Sequence, residues 1–377
     1  MKIPRYIKKP ILEKISQKQN KAIIIYGPRQ SGKTTLLNDL KNEIDGGIRM
    51  ESGENRDVHE WLGSQSLTKL KSFIGSAKTL IIDEAQKISQ IGLNIKIIVD
   101  SLPDVRVIAT GSSSFELSSQ IGEPLVGRKW QFFLFPAAQL ELARIEHISE
   151  TKQLLSERMI YGGYPETIIS PDAAKKREVL DSILDNYLFK DILALEDIRK
   201  SGKLIDLLKL IAFQIGHEVS LRELGNNLGL NIATVERYLD LLEKSFVIKR
   251  VGGFARNLRK EISKTSRYYF IDNGVRNAVI KNFNNLDTRD DVGELWENYL
   301  FAERMKKREY MKIYANEYFW RTYDKKEIDL VEERDGKLYG FEFKWSKGAK
   351  PPKDWLAAYK EAEFKTINQE NYLEFIA

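Results

Sequence analysis

The nine residues Gly27-Pro28-Arg29-Gln30-Ser31-Gly32-Lys33-Thr34-Thr35 constrain this chain of 377 residues more than any other stretch. They meet the spacing GxxxxGK[ST] at every fixed position, after the apolar run Ala22 to Tyr26 and before the helically spaced Leu36, Leu37 and Leu40. A strand that runs through a glycine turn into a helix gathers backbone N–H groups at the helix start, where negative charge is favoured. The nine residues therefore predict a phosphate-binding loop. Lys33 is placed to reach the β- and γ-phosphates of ATP, and the Thr34 hydroxyl to hold magnesium. The competing reading, a glycine turn that matches by accident, leaves the flanking strand and helix without a reason.

Thr79-Leu80-Ile81-Ile82-Asp83-Glu84-Ala85-Gln86 reads as a buried parallel strand ending in two carboxylates. In phosphate-loop enzymes such a strand tip holds the metal, and a neighbouring carboxylate orients water against the γ-phosphate. Asp83 is assigned to magnesium and Glu84 to the water. Val105 to Thr110 predicts another parallel strand, running into Gly111-Ser112-Ser113-Ser114. There Ser112 can touch the γ-phosphate or the attacking water; the alternative is a serine-rich turn capping the next helix. Arg128 precedes the strand Gln131 to Phe135. It is a candidate for stabilising charge on the γ-phosphate, in its own subunit or in the neighbour of a homo-oligomer, with a surface ion pair as the alternative. With Ile48 to Glu51 these segments predict a five-stranded parallel α/β sheet.

Composition adds bounds. Lys and Arg number 60 against 54 Asp and Glu, a net charge of +6, which permits a nucleic-acid partner without requiring one. The absence of cysteine excludes disulfides, thiolate catalysis and cysteine zinc sites, and His59, His147 and His217 are too scattered to suggest a metal cluster. The first residues lack a signal-peptide core and no window approaches a membrane span, so a cytoplasmic protein with no membrane partner is expected.

From Leu140 to about Lys200 the pattern is helical, which reads as a lid and connector. Leu204 to Ile215 is another apolar-periodic helix; Ser220-Leu221-Arg222-Glu223 opens a second with a capping box, and Leu228-Gly229-Leu230 turns into a third beginning at Asn231. Strands at Phe246 to Val251 and Arg267 to Ile271 flank a basic loop with Arg256, Arg259, Lys260 and Lys264. This is the order of a winged helix-turn-helix. Asn231, Thr234, Arg237 and Tyr238 are offered to a groove of DNA or RNA, and Arg256, Arg259 and Lys260 to phosphates. Glu236 and Asp240 dilute that helix, and a protein-docking module is the alternative.

The last part carries a second constellation. Glu294 and Glu297 share one face of a helix, Glu327 to Val331 alternates as a strand, and Asp335-Gly336 turns the chain into Leu338 to Trp345. Glu342 and Lys344, two apart, point to one side, and Asp329 on the neighbouring strand can face them. Two carboxylates and a lysine around one point can bind magnesium at Asp329 and Glu342 for phosphodiester cleavage, with Lys344 positioning water. A structural ion-pair network made by the same residues is the alternative.

Gly-Pro-Arg-Gln-x-Gly-Lys-Thr-Thr-Leu, Leu-Ile-Ile-Asp-Glu-Ala-Gln, Thr-Gly-Ser-Ser, the later Gly-Arg, and Tyr161-Gly162-Gly163-Tyr164-Pro165 together resemble the prokaryotic AAA+ ATPases, related to archaeal predicted ATPases, that carry a carboxy-terminal restriction-endonuclease-like domain. The resemblance covers essentially the whole chain and lends weight to the roles of Ser112 and Arg128. It implies that the Asp…Glu-x-Lys pattern gains a first acid from the preceding helix, Glu297 with Glu294 in reserve. The resulting expectation is an α/β chain with an AAA+ phosphate-loop core at 1–140, a helical lid and connector at 141–200, a winged helix at 201–271 and a small restriction-endonuclease-like α/β domain at 272–377. It would bind and hydrolyse ATP with magnesium, engage nucleic acid and cleave it. The alternative is a nucleotide-switched DNA- or protein-binding regulator whose nuclease-like domain is inactive.

Overall fold

The computed structural model describes residues 2–17, 19–111, 124–185, 201–255, 266–322, 326–346 and 348–377. They divide into two compact units: residues 5–136 with 244–246, and residues 1–4, 137–243 and 247–377. No described helix is long and apolar enough to cross a membrane.

The first unit is built on strands β1 (Ala22–Tyr26), β2 (Ile48–Ser52), β3 (Thr79–Asp83), β4 (Arg106–Gly111) and β5 (Lys129–Phe133), all parallel, in the order β2-β3-β4-β1-β5. Every residue of β1 and β3 is buried, as unbroken Ile and Leu runs demand of central parallel strands. Helices α1 (Lys8–Ser16), α2 (Lys33–Lys41), α3 (His59–Leu62), α4 (Leu67–Ile74) and α5 (Ile91–Ser101) belong to this unit, with Ile24, Leu80, Ile82, Ile95, Ile98 and Val107 in its core. Two short α-helices, not one, lie between β2 and β3. Gly63 ends α3, Gln65 takes φ 52°, and the Ser66 hydroxyl starts α4 afresh by accepting from Lys69 N. Because β1, β3 and β4 are adjacent and parallel, the loop after Tyr26 lies beside Asp83 and Thr110.

The second unit holds a six-stranded mixed sheet, β6 (Ile248–Gly253), β7 (Ser266–Phe270), β8 (Asn316–Arg321), β9 (Glu327–Arg334), β10 (Lys337–Phe343) and β11 (Glu363–Ile367), in the order β11-β10-β9-β8-β6-β7. The β6–β7 hairpin and the C-terminal strands therefore share one sheet, joined where Gly252 and Gly253 of β6 pair with Tyr318 and Phe319 of β8. Its helices include α6 (Leu155–Tyr161), α7 (Ala173–Ile183), α8 (Ser201–Phe213), α9 (Leu221–Leu228), α10 (Ile232–Lys244), α11 (Asn273–Val279) and α12 (Val292–Met311). Helices α7 to α10 bury Leu180, Leu207, Leu224, Val235 and Leu239 with Ile248, Tyr268 and Phe270 of the hairpin.

The described part of the segment read as a lid packs within this second unit, and the Tyr-Gly-Gly-Tyr-Pro stretch explains how. Gly162, at φ 72°, lies where a Cβ would stand 2.0 Å from Asp272 Oδ1. Gly163 N donates to Asp272 Oδ2 at 2.7 Å, while Asp272 Oδ1 caps α11 by accepting from Val275 N at 3.1 Å. Only glycine lets the backbone approach a buried carboxylate this closely.

Candidate active sites

The phosphate-loop residues form a cradle at the C-terminal end of β1. Gly27 passes so near β5 that a Cβ would meet Leu134 O at 2.1 Å, and Gln30 (φ 58°) and Gly32 (φ 96°) curl the loop into α2. Arg5 braces the loop from outside, donating through Nη1 to Ser31 O at 2.6 Å and through Nη2 to Phe135 O. Lys33 is buried and its Nζ donates to the carbonyls of Gly27 at 2.9 Å and Pro28 at 3.0 Å. Thr34 Oγ1 donates to Asp83 Oδ2 at 2.6 Å. On the other side Thr110 Oγ1 donates to Asp83 Oδ1, and the Glu84 backbone N–H donates to Asp83 Oδ1 at 3.1 Å and to Thr110 Oγ1 at 3.2 Å.

Glu84 sits at φ 48°, ψ 45°, a left-handed turn immediately after β3. Its Oε2 accepts from Gln86 Nε2 at 2.6 Å, and its Oε1 lies 3.9 Å from Lys33 Nζ. Gly53 supports this turn from β2, where a Cβ would stand 2.3 Å from Glu84 O. A hydroxyl and a carboxylate oxygen beside a glycine cradle are the hard oxygen donors that magnesium takes together with phosphates, so Thr34 and Asp83 fit that ion.

Arg128 is at the other end of the same sheet. Its carbonyl accepts from Ala22 N at the start of β1, about 17 Å along the strand from Gly27, more than its side chain spans. Its Nε donates to Asp100 Oδ1 at 2.6 Å in a half-exposed pair, which matches the alternative reading of a surface ion pair. A contact with the γ-phosphate of its own loop is therefore ruled out by position. Ser112 lies outside the described residues. Sequence reasoning missed Thr110, Arg5 and Gly53; a threonine closing the apolar strand Val105 to Thr110 was the one available signal.

In the second unit Glu297, Asp329, Glu342 and Lys344 come together, with Arg267 of β7 among them. The β9–β10 register pairs Leu330 with Phe341, which sets Asp329 opposite Glu342. Asp329 Oδ2 accepts from Phe343 N at 2.8 Å, and Lys344 Nζ lies 2.7 Å from Glu342 Oε1. Arg267 is 2% exposed and packs over the Phe319 ring. Its Nη2 donates to Glu327 Oε2 at 2.6 Å, and its Nη1 lies 3.4 Å from Glu297 Oε1 and 3.6 Å from Asp329 Oδ1. Tyr269 OH donates to Glu297 Oε1 at 2.7 Å, and Gly216, at φ 75°, lies where a Cβ would stand 2.7 Å from Glu297 Oε2. Glu294 is turned away, its Oε1 3.8 Å from His217 Nε2.

Burial first, then the Asp329 charge, pushes Glu297 well above the usual carboxylate range and Glu342 to about 7. Burial also raises Asp329, against the pull of the Phe343 N–H and of Arg267. For Arg267 burial works against the charge, but Tyr269, Glu297, Asp329 and Glu327 outweigh it and keep the guanidinium protonated. Among the described residues no three His, Cys, Asp or Glu side chains are grouped so as to hold a metal ion. The magnesium expected at Asp329 and Glu342 does not fit this arrangement, since Lys344 is already paired with Glu342 and the Arg267 guanidinium stands 3.6 Å from Asp329. The sequence signal for it was a lone arginine inside the strand Ser-Arg-Tyr-Tyr-Phe, because a buried charge needs partners.

The helix pair α9 and α10 is joined by Gly229 at φ 64°, and Val219 bridges Ser266 of the hairpin. Asn231 Oδ1 accepts from Thr234 N at 2.7 Å, so Asn231 is occupied as the cap of α10 rather than offered to a groove. Tyr238 is 3% exposed and belongs to the core, a correction that follows from its helical spacing with Val235, Leu241 and Leu242. Thr234 is half-buried and Arg237 exposed, flanked by exposed Glu236 and Asp240. Arg256, Arg259, Lys260 and Lys264 lie outside the described residues.

Residues 19–143 match the AAA domain family, residues 152–286 a domain of unknown function, DUF8612, and residues 292–370 a second domain of unknown function, DUF4143. An uncharacterized protein of Methanocaldococcus jannaschii is 26% identical over 303 residues, 75% of this chain and 66% of that protein. One of Mycobacterium tuberculosis is 23% identical over 340 residues, 85% of this chain and 70% of that protein. Among solved structures, the Thermotoga maritima RuvB Holliday junction branch migration motor is 20% identical, covers 66% of this chain and 90% of its own, and gives a TM-score of 0.33.

Proposed function

We propose that this chain is an AAA ATPase that binds and hydrolyses ATP and uses the nucleotide to control how its second unit engages nucleic acid. The observation that carries the ATPase reading is the convergence of Lys33, Thr34, Asp83 and Glu84 at the C-terminal ends of β1 and β3, which flank β4. Lys33 would exchange the carbonyls of Gly27 and Pro28 for β- and γ-phosphate oxygens, while the loop N–H groups turn to the phosphates. Thr34 and Asp83 would hold magnesium, which neutralises phosphate charge when bound. Glu84, steadied by Gln86, would orient water and accept its proton. Arg128 would act on a phosphate only from a neighbouring subunit. The cysteine-free sequence fits a cytoplasmic setting.

We read residues 201–271 as the winged helix and residues 272–377 as the restriction-endonuclease-like part, with 1–140 and 141–200 as core and lid. The hairpin, the glycine turn and the Val219 bridge support the winged helix. Its partner would be DNA or RNA, met through Thr234, Arg237, Arg256, Arg259 and Lys260. Cleavage of that partner at Glu297, Asp329, Glu342 and Lys344 is disfavoured, because Arg267 already serves Glu297 and Asp329 as a cation and Lys344 serves Glu342. The regulator with an inactive nuclease-like part is the better-supported reading of the second unit.

Steady-state turnover and equilibrium nucleotide binding test the core. Lys33→Ala is expected to weaken ATP binding by at least about tenfold, and Glu84→Gln to preserve binding while turnover falls about a hundredfold or more. Undiminished turnover in Glu84→Gln would remove Glu84 from this role, and unaltered binding in Lys33→Ala would remove the loop.

A further inference from the structure

We infer that Arg267 is the resident cation of the carboxylate cluster in the second unit, a guanidinium standing where a divalent metal would otherwise sit and closing the site to metal. The inference bears only on the nuclease-like part of the functional reading, and the ATPase assignment stands or falls separately. Three observations carry it. The first is geometry: Nη1 and Nη2 reach Glu297, Glu327 and Asp329 within 2.6 to 3.6 Å, so one buried cation serves carboxylates from α12 and β9. The second is the lack of spare room at Glu297. One of its oxygens is engaged by Tyr269 OH and Arg267, and the other faces the Gly216 backbone.

The third is the fixed origin of Arg267 itself. It rises from β7, whose every residue is buried and whose Val251 pairing holds Arg267 in register. The Phe319 ring packs 4.7 Å from the guanidinium, and Nε is buried without a hydrogen-bond partner. A side chain so confined does not swing away to admit a metal. What remains unmatched is Glu342 Oε2, buried and without a hydrogen-bond partner. Two like-charged strand neighbours, Asp329 and Glu342, are destabilising unless a positive charge stands near them, and here Arg267 and Lys344 supply it.

The test uses the full chain carrying Asp83→Ala, without nucleotide, so that the phosphate-loop site takes no metal, and follows Mn2+ binding by the electron paramagnetic resonance of the free ion. Unaltered at position 267, the protein should show no Mn2+ site that Asp329→Asn removes. Arg267→Met should gain such a site, with affinity at least about tenfold above the parent, and Arg267→Met with Asp329→Asn should lose it. Arg267→Lys, which keeps a charge in place, should remain closed. If Arg267→Met is unstable, Mn2+ should raise its melting temperature but not that of the parent. Mn2+ binding at Asp329 in the parent, or neither binding nor thermal rescue in Arg267→Met, overturns the inference. Neither result touches the turnover expected from Lys33 and Glu84.

Discussion

Thr34 Oγ1 and Asp83 Oδ2 meet at 2.6 Å, tying the first turn of α2 to the tip of β3. The opposite oxygen of Asp83 accepts from Thr110 Oγ1, so the carboxylate is held from both sides and its rotamer is fixed before any ligand arrives. Such preorganisation spares the site reorganisation when phosphate charge must be met.

Thr110→Val keeps the shape of the side chain and removes the donor. The expected loss of folding stability is about 1 kcal/mol, the usual net worth of one such bond. The expected fall in turnover at saturating ATP is about tenfold, with little change in nucleotide affinity, because Asp83 would lose its fixed orientation. Thr110→Ser should restore most of the turnover. Thermal unfolding without nucleotide and steady-state hydrolysis measure the two effects, and wild-type turnover in the valine variant would take Thr110 out of the site.

Nucleic-acid affinity, on this reading, comes from the wing rather than from α10. The exposed face of that helix offers Arg237 between Glu236 and Asp240, a poor match to phosphates. Reversing Arg259 and Lys260 together to Glu should therefore weaken duplex binding at least about tenfold in low salt and flatten the logarithmic salt slope by about two. Arg237→Glu alone should do less. Fluorescence anisotropy across a salt series reads both quantities, and an unchanged slope in the double variant would favour a protein partner for this helix pair.

The two units were not equally legible. The parallel sheet of the first could be read because continuous Ile and Leu runs, the glycine loop and the Asp-Glu strand tip each carry a local signature. In the second unit the β9–β10 hairpin announced itself through Asp335-Gly336, both at positive φ. β8 and β11 carry mixed charge and no turn signal, so their place in a sheet shared with β6 and β7 is settled by tertiary pairing alone. Asp329 and Glu342 of the second site were found by spacing, and Glu297 through the family resemblance. Their cation was not, because Arg267 comes from a strand more than 25 residues earlier and only the sheet order brings it near Glu297, Glu327 and Asp329.

The charge left over in that cluster sets a pH dependence. Glu342 is raised to about 7, by burial first and by Asp329 next, against the pull of Lys344, with Glu327 adding to the rise. An acid whose folded pKa lies above its unfolded value, near 4.3, binds more protons in the folded state, so its contribution to stability falls as pH climbs from about 4 to 7. Above that window the folded chain carries a cost that reaches at most about 4 kcal/mol. Glu342→Gln removes the charge and keeps the shape, while the ion pair it gives up is to the half-exposed Lys344 and is worth little. Because the Asp329 charge raises Glu342, the difference between the two proteins reports position 342 together with its coupling to Asp329. The glutamine variant should melt higher than wild type at pH 8 and no higher at pH 4.5, measured by calorimetry in matched buffers. A variant less stable than wild type by the same margin at both values would mean that Glu342 is held ionised and stabilising throughout.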